Sequence, residues 1–157
     1  MCNVLYPGSF DPFTNGHLNV LKHASSIFDK VYICVTSNPQ KKRFIPIETS
    51  EELIEQIIRN RCSNVEVVRS HTNLLYKQAK ICNCAYIVRG VRNNGIDYPY
   101  EENLAKFNKD IGDIDTIFIR SDSIISSTMV RILLANDENI VDYVPKEIYE
   151  YFKKGKL

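Results

Sequence analysis

Short runs of β-branched and aromatic residues alternate with longer stretches of helical period along the whole chain, and that alternation constrains the fold most. Val4–Tyr6, Val31–Thr36, Val65–Val68, Ala85–Val88 and Thr116–Ile119 are short and mostly apolar, the pattern of parallel strands buried on both faces. Between the first two, Leu18, Leu21, Ala24 and Phe28 recur at helical spacing. Leu53, Ile54, Ile57 and Ile58 form a second helical face, and Thr49-x-x-Glu52 predicts a capping box at its start. Leu74, Leu75 and Ala79 predict a short third helix, and Tyr100 to Phe107 a fourth. Ser126-Ser127-Thr128 reads as a fifth helix start, and Pro145 opens a terminal helix. Repeated βα units joined by right-handed crossovers imply an α/β fold: a doubly wound, five-stranded parallel sheet, Rossmann-like, in one domain spanning residues 1–157.

Composition narrows the function classes. With 20 Lys and Arg against 19 Asp and Glu, the net charge of +1 carries no nucleic-acid footprint, so no nucleic-acid partner is expected. No apolar run is long enough for a membrane span, and the N-terminus lacks a secretory pattern, so no membrane association is expected. Five cysteines, an odd number scattered through strands and helix ends, fit reduced thiols and a cytoplasmic location. Cys82-Asn83-Cys84 lacks a second pair, and no metal-ligating cluster is expected.

Residues Tyr6-Pro7-Gly8-Ser9-Phe10-Asp11-Pro12-Phe13-Thr14-Asn15-Gly16-His17 carry the chemistry. They lead from the first strand into the first helix. Pro7 is expected to end strand pairing, and Gly8 to let the backbone pass close to a ligand. Gly16 and His17 fall in the first helical turn, where free N–H groups and the helix dipole attract an anion. A Gly-His pair alone is more often a tight connection with a capping residue. The full dodecapeptide in this setting reads as a phosphate site.

Three other segments leave strands toward the same end of the sheet. Lys41-Lys42-Arg43 follows the second strand; taken alone, it is as readily a solvated loop. Arg89-Gly90-Val91-Arg92 is expected to end the fourth strand, its arginines suited to bidentate phosphate contacts or to salt bridges with Asp97 or Glu101. Ile125-Ser126-Ser127-Thr128 offers hydroxyls and free amides to outer phosphates. Neither G-x-G-x-x-G nor G-x-x-x-x-G-K-[ST] occurs. His23 and His71 read as surface residues.

Tyr6–His17, Asn38-Pro39-x-Lys41-Lys42, Arg89–Arg92, Asp97-Tyr98-x-Tyr100-Glu101, Asn108 and Ile125–Thr128 together resemble the phosphopantetheine adenylyltransferases of the T/H-x-G-H nucleotidyltransferase superfamily, over essentially the whole chain. The resemblance implies transfer of AMP from ATP to 4′-phosphopantetheine with Mg²⁺, giving dephospho-coenzyme A and pyrophosphate, in a cytoplasmic homohexamer. It implies catalytic roles for His17, Lys41 and Arg92. Ser9 and Lys41 would hold the acceptor phosphate, with Leu75 and Arg89 along the pantetheine arm. ATP would meet Ser9, Phe10, His17, Gly90, Val91, Arg92 and Glu101, and also Asp122, Ser123, Ile124, Ile125, Ser126, Ser127 and Thr128.

The chemistry agrees, because a phosphate monoester with its second pKa near 6 needs positioning and positive charge more than a general base. His17, Lys41 and Arg92 are expected to supply that charge. The chain departs from the family pattern at Asp122, where an aromatic residue is common, and at Asn73, where Asp is common. A further departure is an Arg92–Asp97 turn one residue longer. The competing readings are a related nucleotidyltransferase acting on a pyridine mononucleotide or glycerol phosphate, and a nucleotide sensor without catalysis.

Overall fold

A computed structural model describes residues 1–92, 95 and 97–155; Asn93, Asn94 and Ile96, in the segment expected to be one residue longer than the family pattern, lie outside the described residues. The strands are β1 (Asn3–Gly8), β2 (Lys30–Val35), β3 (Val65–Val68), β4 (Tyr86–Arg92) and β5 (Asp115–Ser121). They form one parallel sheet in the order β3-β2-β1-β4-β5. The helices are α1 (Asn15–Ile27), α2 (Ile47–Arg59), α3 (Leu75–Ile81), α4 (Tyr98–Gly112), α5 (Ser127–Ala135) and α6 (Lys146–Gly155). The strand order reverses between β1 and β4, so the switch point, where such sheets bind ligands, lies there.

Both faces of the sheet are covered, as the unbroken apolar strands require. Val4, Tyr6, Val31, Ile33 and Val88 pack with α1, α2, α5 and α6 in one core. Leu5, Cys34 and Ile87, of opposite pleat, pack with Ala79 of α3 and with Ile114 in the other. Leu75, expected along the pantetheine arm, is half-buried against this second core.

Three local expectations are corrected. Pro7 stays within β1 and registers with Cys34 of β2. Pairing with β4 stops at Leu5, because Pro7 has no N–H to offer on that side and its carbonyl is taken by Arg89 Nη1 at 2.7 Å. The segment Arg89–Arg92 does not follow β4 but belongs to it, paired residue by residue with Phe118–Ser121. Thr49 opens no capping box: α2 begins two residues earlier, after Pro46, whose φ of −56° already suits helix entry, and it has no side-chain cap.

Candidate active site

The carboxyl ends of β1, β4 and β5 and the N-termini of α1 and α5 enclose a crevice of about 230 Å³. Ser9, Phe10, His17, Gly90, Arg92 and Glu101 line it, as the sequence leads one to expect. So do Arg89, Ser123, Ile125, Ser126 and Ser127. Two helix N-termini thus face one small space, each with a positive dipole end; in α1 the Asn15 and His17 N–H groups are already given to Tyr143 O and Thr14 Oγ1.

His17 is the third residue of α1 and is held by the cap of its own helix. The Thr14 backbone N–H donates to His17 Nδ1 at 3.0 Å, and Thr14 Oγ1 accepts the His17 N–H at 3.4 Å. The capping box expected at Thr49 is therefore here, with an imidazole in the place usually taken by Glu or Gln. An Nδ1 that accepts leaves the proton on Nε2. Phe10 meets the ring edge-on at 5.0 Å and Phe13 lies 5.4 Å away, so the ring cannot swing. Burial, aided by the nearby positive charges of Arg89 and Arg92, pushes the imidazole pKa down to about 4. His17 is therefore neutral at physiological pH and supplies a hydrogen-bond donor, not the positive charge expected of it.

The arginines keep their charge. Arg89 forms a two-pronged pair with Glu101, Nε to Oε2 and Nη2 to Oε1, both at 2.8 Å. Burial opposes the Arg89 charge, but the Glu101 carboxylate outweighs it, and the pKa is raised. Arg92 pairs with Asp97 through two contacts of 2.6 Å; that bond raises the arginine's pKa and lowers the aspartate's. Both salt bridges weighed from the sequence are present, on guanidiniums that line the crevice.

The two glycines expected to admit a ligand answer first to the protein's own packing. A Cβ at Gly8 would lie 2.7 Å from the Phe10 ring, and one at Gly90 would lie 2.8 Å from Val20 Cγ2. Ser126 caps α5 by accepting the Met129 N–H, and Ser127 Oγ donates to Pro12 O at 2.7 Å. Their hydroxyls brace the loop as well as face the crevice.

Some expected residues stand elsewhere. Lys41 lies on an exposed loop and lines an adjoining cavity of about 290 Å³ with Lys42, Arg43, Thr128 and Arg131; Ser9 and Ser127 border both cavities. Val91 has the opposite pleat to Gly90 and Arg92, and Asp122 and Ile124 are exposed; none of the three lines the crevice. Val20 and Ser121 also line it, though nothing in the sequence reading gives them that role. The Ser121 signal was available in principle, since it ends β5 at the ligand end of the sheet.

The switch-point crevice with a helix-borne histidine defines a nucleotide-handling α/β domain. The family described as cytidylyltransferase-like matches residues 5–132, from within β1 into α5. At 40% identity over 156 residues, the chain is similar to a phosphopantetheine adenylyltransferase of Streptococcus pneumoniae, with 97% of this chain and 95% of that one covered. The same protein from a second strain gives the same figures. Among solved structures, the nicotinic acid mononucleotide adenylyltransferase of Plasmodium falciparum complexed with NaAD matches with a TM-score of 0.71 at 20% identity, covering 100% of this chain and 97% of that one. Its complex with APC gives 0.66 at 19%, with the same coverage. Those two likenesses concern the fold alone. The class is therefore a cytidylyltransferase-like nucleotidyltransferase. Within it, this chain belongs to the phosphopantetheine adenylyltransferase family.

Proposed function

We propose that ATP and 4′-phosphopantetheine meet at this crevice and that His17 acts there as a neutral donor to the transferring phosphoryl group. The reaction moves AMP from ATP to 4′-phosphopantetheine and yields dephospho-coenzyme A and pyrophosphate. An oxygen of the acceptor phosphate bonds to the α-phosphorus as the bond to the bridging oxygen of the β-phosphate breaks, and pyrophosphate leaves with that electron pair. The acceptor is largely dianionic at neutral pH, so no base has to remove a proton. The site has to align the two phosphates and stabilise charge on the α-phosphoryl oxygens.

One observation carries the mechanism: the Thr14 N–H on Nδ1 commits the Nε2–H of His17 to donation. A neutral imidazole at a helix start can donate without competing for the acceptor's negative charge. Arg92, with Ser123, Ile125, Ser126 and Ser127, lies where ATP would sit, and the α5 N-terminus would receive the outer phosphates. Ser9 and Lys41 would hold the acceptor phosphate across the boundary of the two cavities, and Leu75 and Arg89 would flank the pantetheine arm.

Mg²⁺ would enter with ATP. Among the described residues no group of three or more His, Cys, Asp or Glu is arranged to hold a metal, and Asp97 and Glu101 are engaged by arginines. Its ligands would be phosphate oxygens and water, a set that suits Mg²⁺, and it would supply charge neutralisation on the phosphates. Cytoplasmic location and assembly as a homohexamer complete the reading. All five cysteines are free, which supports a reducing compartment. Among the described residues no helix is long and apolar enough to cross a membrane.

The test is pyrophosphate release from ATP with each of three acceptors: 4′-phosphopantetheine, nicotinic acid mononucleotide and glycerol 3-phosphate. Release is expected with the first alone. Turnover on either of the others in its place would move the chain to a different acceptor class, and none at all would leave a nucleotide sensor.

A further inference from the structure

Lys41 sits on an exposed loop, but two residues further on the chain is fixed by Arg43. The Arg43 guanidinium donates to Ile45 O at 2.8 Å, Thr36 O at 3.0 Å, Ser9 O at 2.9 Å and Ser50 Oγ at 3.1 Å. Ser9 follows β1, Thr36 follows β2 and Ser50 lies in the first turn of α2, so one side chain ties three elements together. The link is returned from the other side. The Asp11 carboxylate accepts the backbone N–H of Phe44 at 2.8 Å and of Ile45 at 2.7 Å, and lies 4.0 Å from Arg43. The Lys41 loop and the Ser9 loop are thereby locked to each other in both directions.

Lys41-Lys42-Arg43 reads in sequence as three equivalent cations, yet the third has a different task. Its side chain is 14% exposed and four of its five N–H donors are given to protein oxygens, so holding the loops together is its first task even though it borders the cavity. Four acceptors placed around a plane suit the fixed fork of a guanidinium and cannot be met by one ammonium.

We propose that Arg43 is a positioning residue for the acceptor: it sets the spacing between Ser9 and Lys41, and so governs how tightly 4′-phosphopantetheine is held. The inference rests on the assignment of Ser9 and Lys41 to the acceptor phosphate. None of the hydrogen-bond partners of Arg43 lies among Arg92 and Ser123 to Ser127, so the effect is expected to fall chiefly on the acceptor. Misplacing a positioning group by an ångström is enough for a large kinetic loss.

The experiment compares Arg43→Ala, Arg43→Lys and Lys41→Ala by steady-state kinetics with each substrate varied. Arg43→Ala is expected to raise KM for 4′-phosphopantetheine about tenfold while KM for ATP changes less than about threefold. Added guanidinium at low concentration restores it; methylammonium does not. Arg43→Lys keeps the charge but not the fork, and stays impaired. Equal rises in both KM values, or Arg43→Lys kinetics like wild type, would overturn the proposal. If Arg43→Ala does not fold, Arg43→Lys carries the test with the same readout. Lys41→Ala separates the two claims. If it leaves the acceptor KM unchanged, the assignment of Lys41 fails; if it raises that KM and Arg43→Ala does not, the positioning claim alone fails.

Discussion

Acidification should expose the buried imidazole as a stability loss that a single substitution removes. In the unfolded chain His17 binds a proton below its ordinary pKa of 6.5, whereas in the folded protein it resists protonation down to about 4. Between those values the unfolded state holds more protons, so stability rises with pH. His17 therefore contributes fully above 6.5, loses that contribution as the pH falls toward 4, and adds no further dependence below. At about 1.4 kcal/mol per pH unit, the gap is worth about 3 kcal/mol. The ring edge still meets the open crevice, so the loss to be read is about 2–3 kcal/mol. The control is His17→Gln. A Gln at the third helical position can still accept the Thr14 N–H, so the cap is kept while the titration is removed. Urea unfolding of both proteins from about pH 7 to pH 4 isolates the difference, because every other titrating group is shared. Wild type should lose about 2–3 kcal/mol more than the variant over that range. Parallel curves would mean that His17 takes its proton in the ordinary range, and the neutral-donor argument would fail with it.

Glu101→Ala leaves the half-buried Arg89 guanidinium without its two-pronged partner and should cost about 2–3 kcal/mol in urea unfolding. Gly90→Ala should destabilise by about 1–2 kcal/mol through the contact with Val20, and Val20→Ala in the same chain should recover part of it as a coupling energy in a double-mutant cycle. Asp11→Ala strands the backbone N–H groups of Phe44 and Ile45 and should cost about 2–3 kcal/mol, with Asp11→Asn losing less because one acceptor remains.

The layering and the place of the site were legible because they depend on local pattern. Unbroken apolar runs separated by helical stretches leave few arrangements other than a doubly wound parallel sheet, and Thr14 to His17 sits where β1 must hand over to α1. What escaped depended on distant partners. Arg89–Arg92 reads only as the end of a strand drawn over Ala85–Val88, because its full strand character comes from pairing with β5, about thirty residues on. The charge state of His17 follows from burial and from two arginines more than seventy residues away. Arg43 looks like a third surface cation until the ends of β1, β2 and α2 surround it. Thr49 reads as a capping box because Glu stands three residues on, whereas Thr14 does not, because His is an unusual partner in that role.

The central claim is that a neutral His17 serves the transition state and adds little to substrate binding, and kinetics of His17→Ala with separately measured ATP affinity test it most directly. Losing one such donor should lower kcat by about 10²–10³ while the Kd for ATP shifts only a few-fold, since the helix N-termini and Arg92 remain. A variant that turns over at near wild-type rate, or one whose loss lies in ATP binding alone, would reduce His17 to a helix cap and contradict the account.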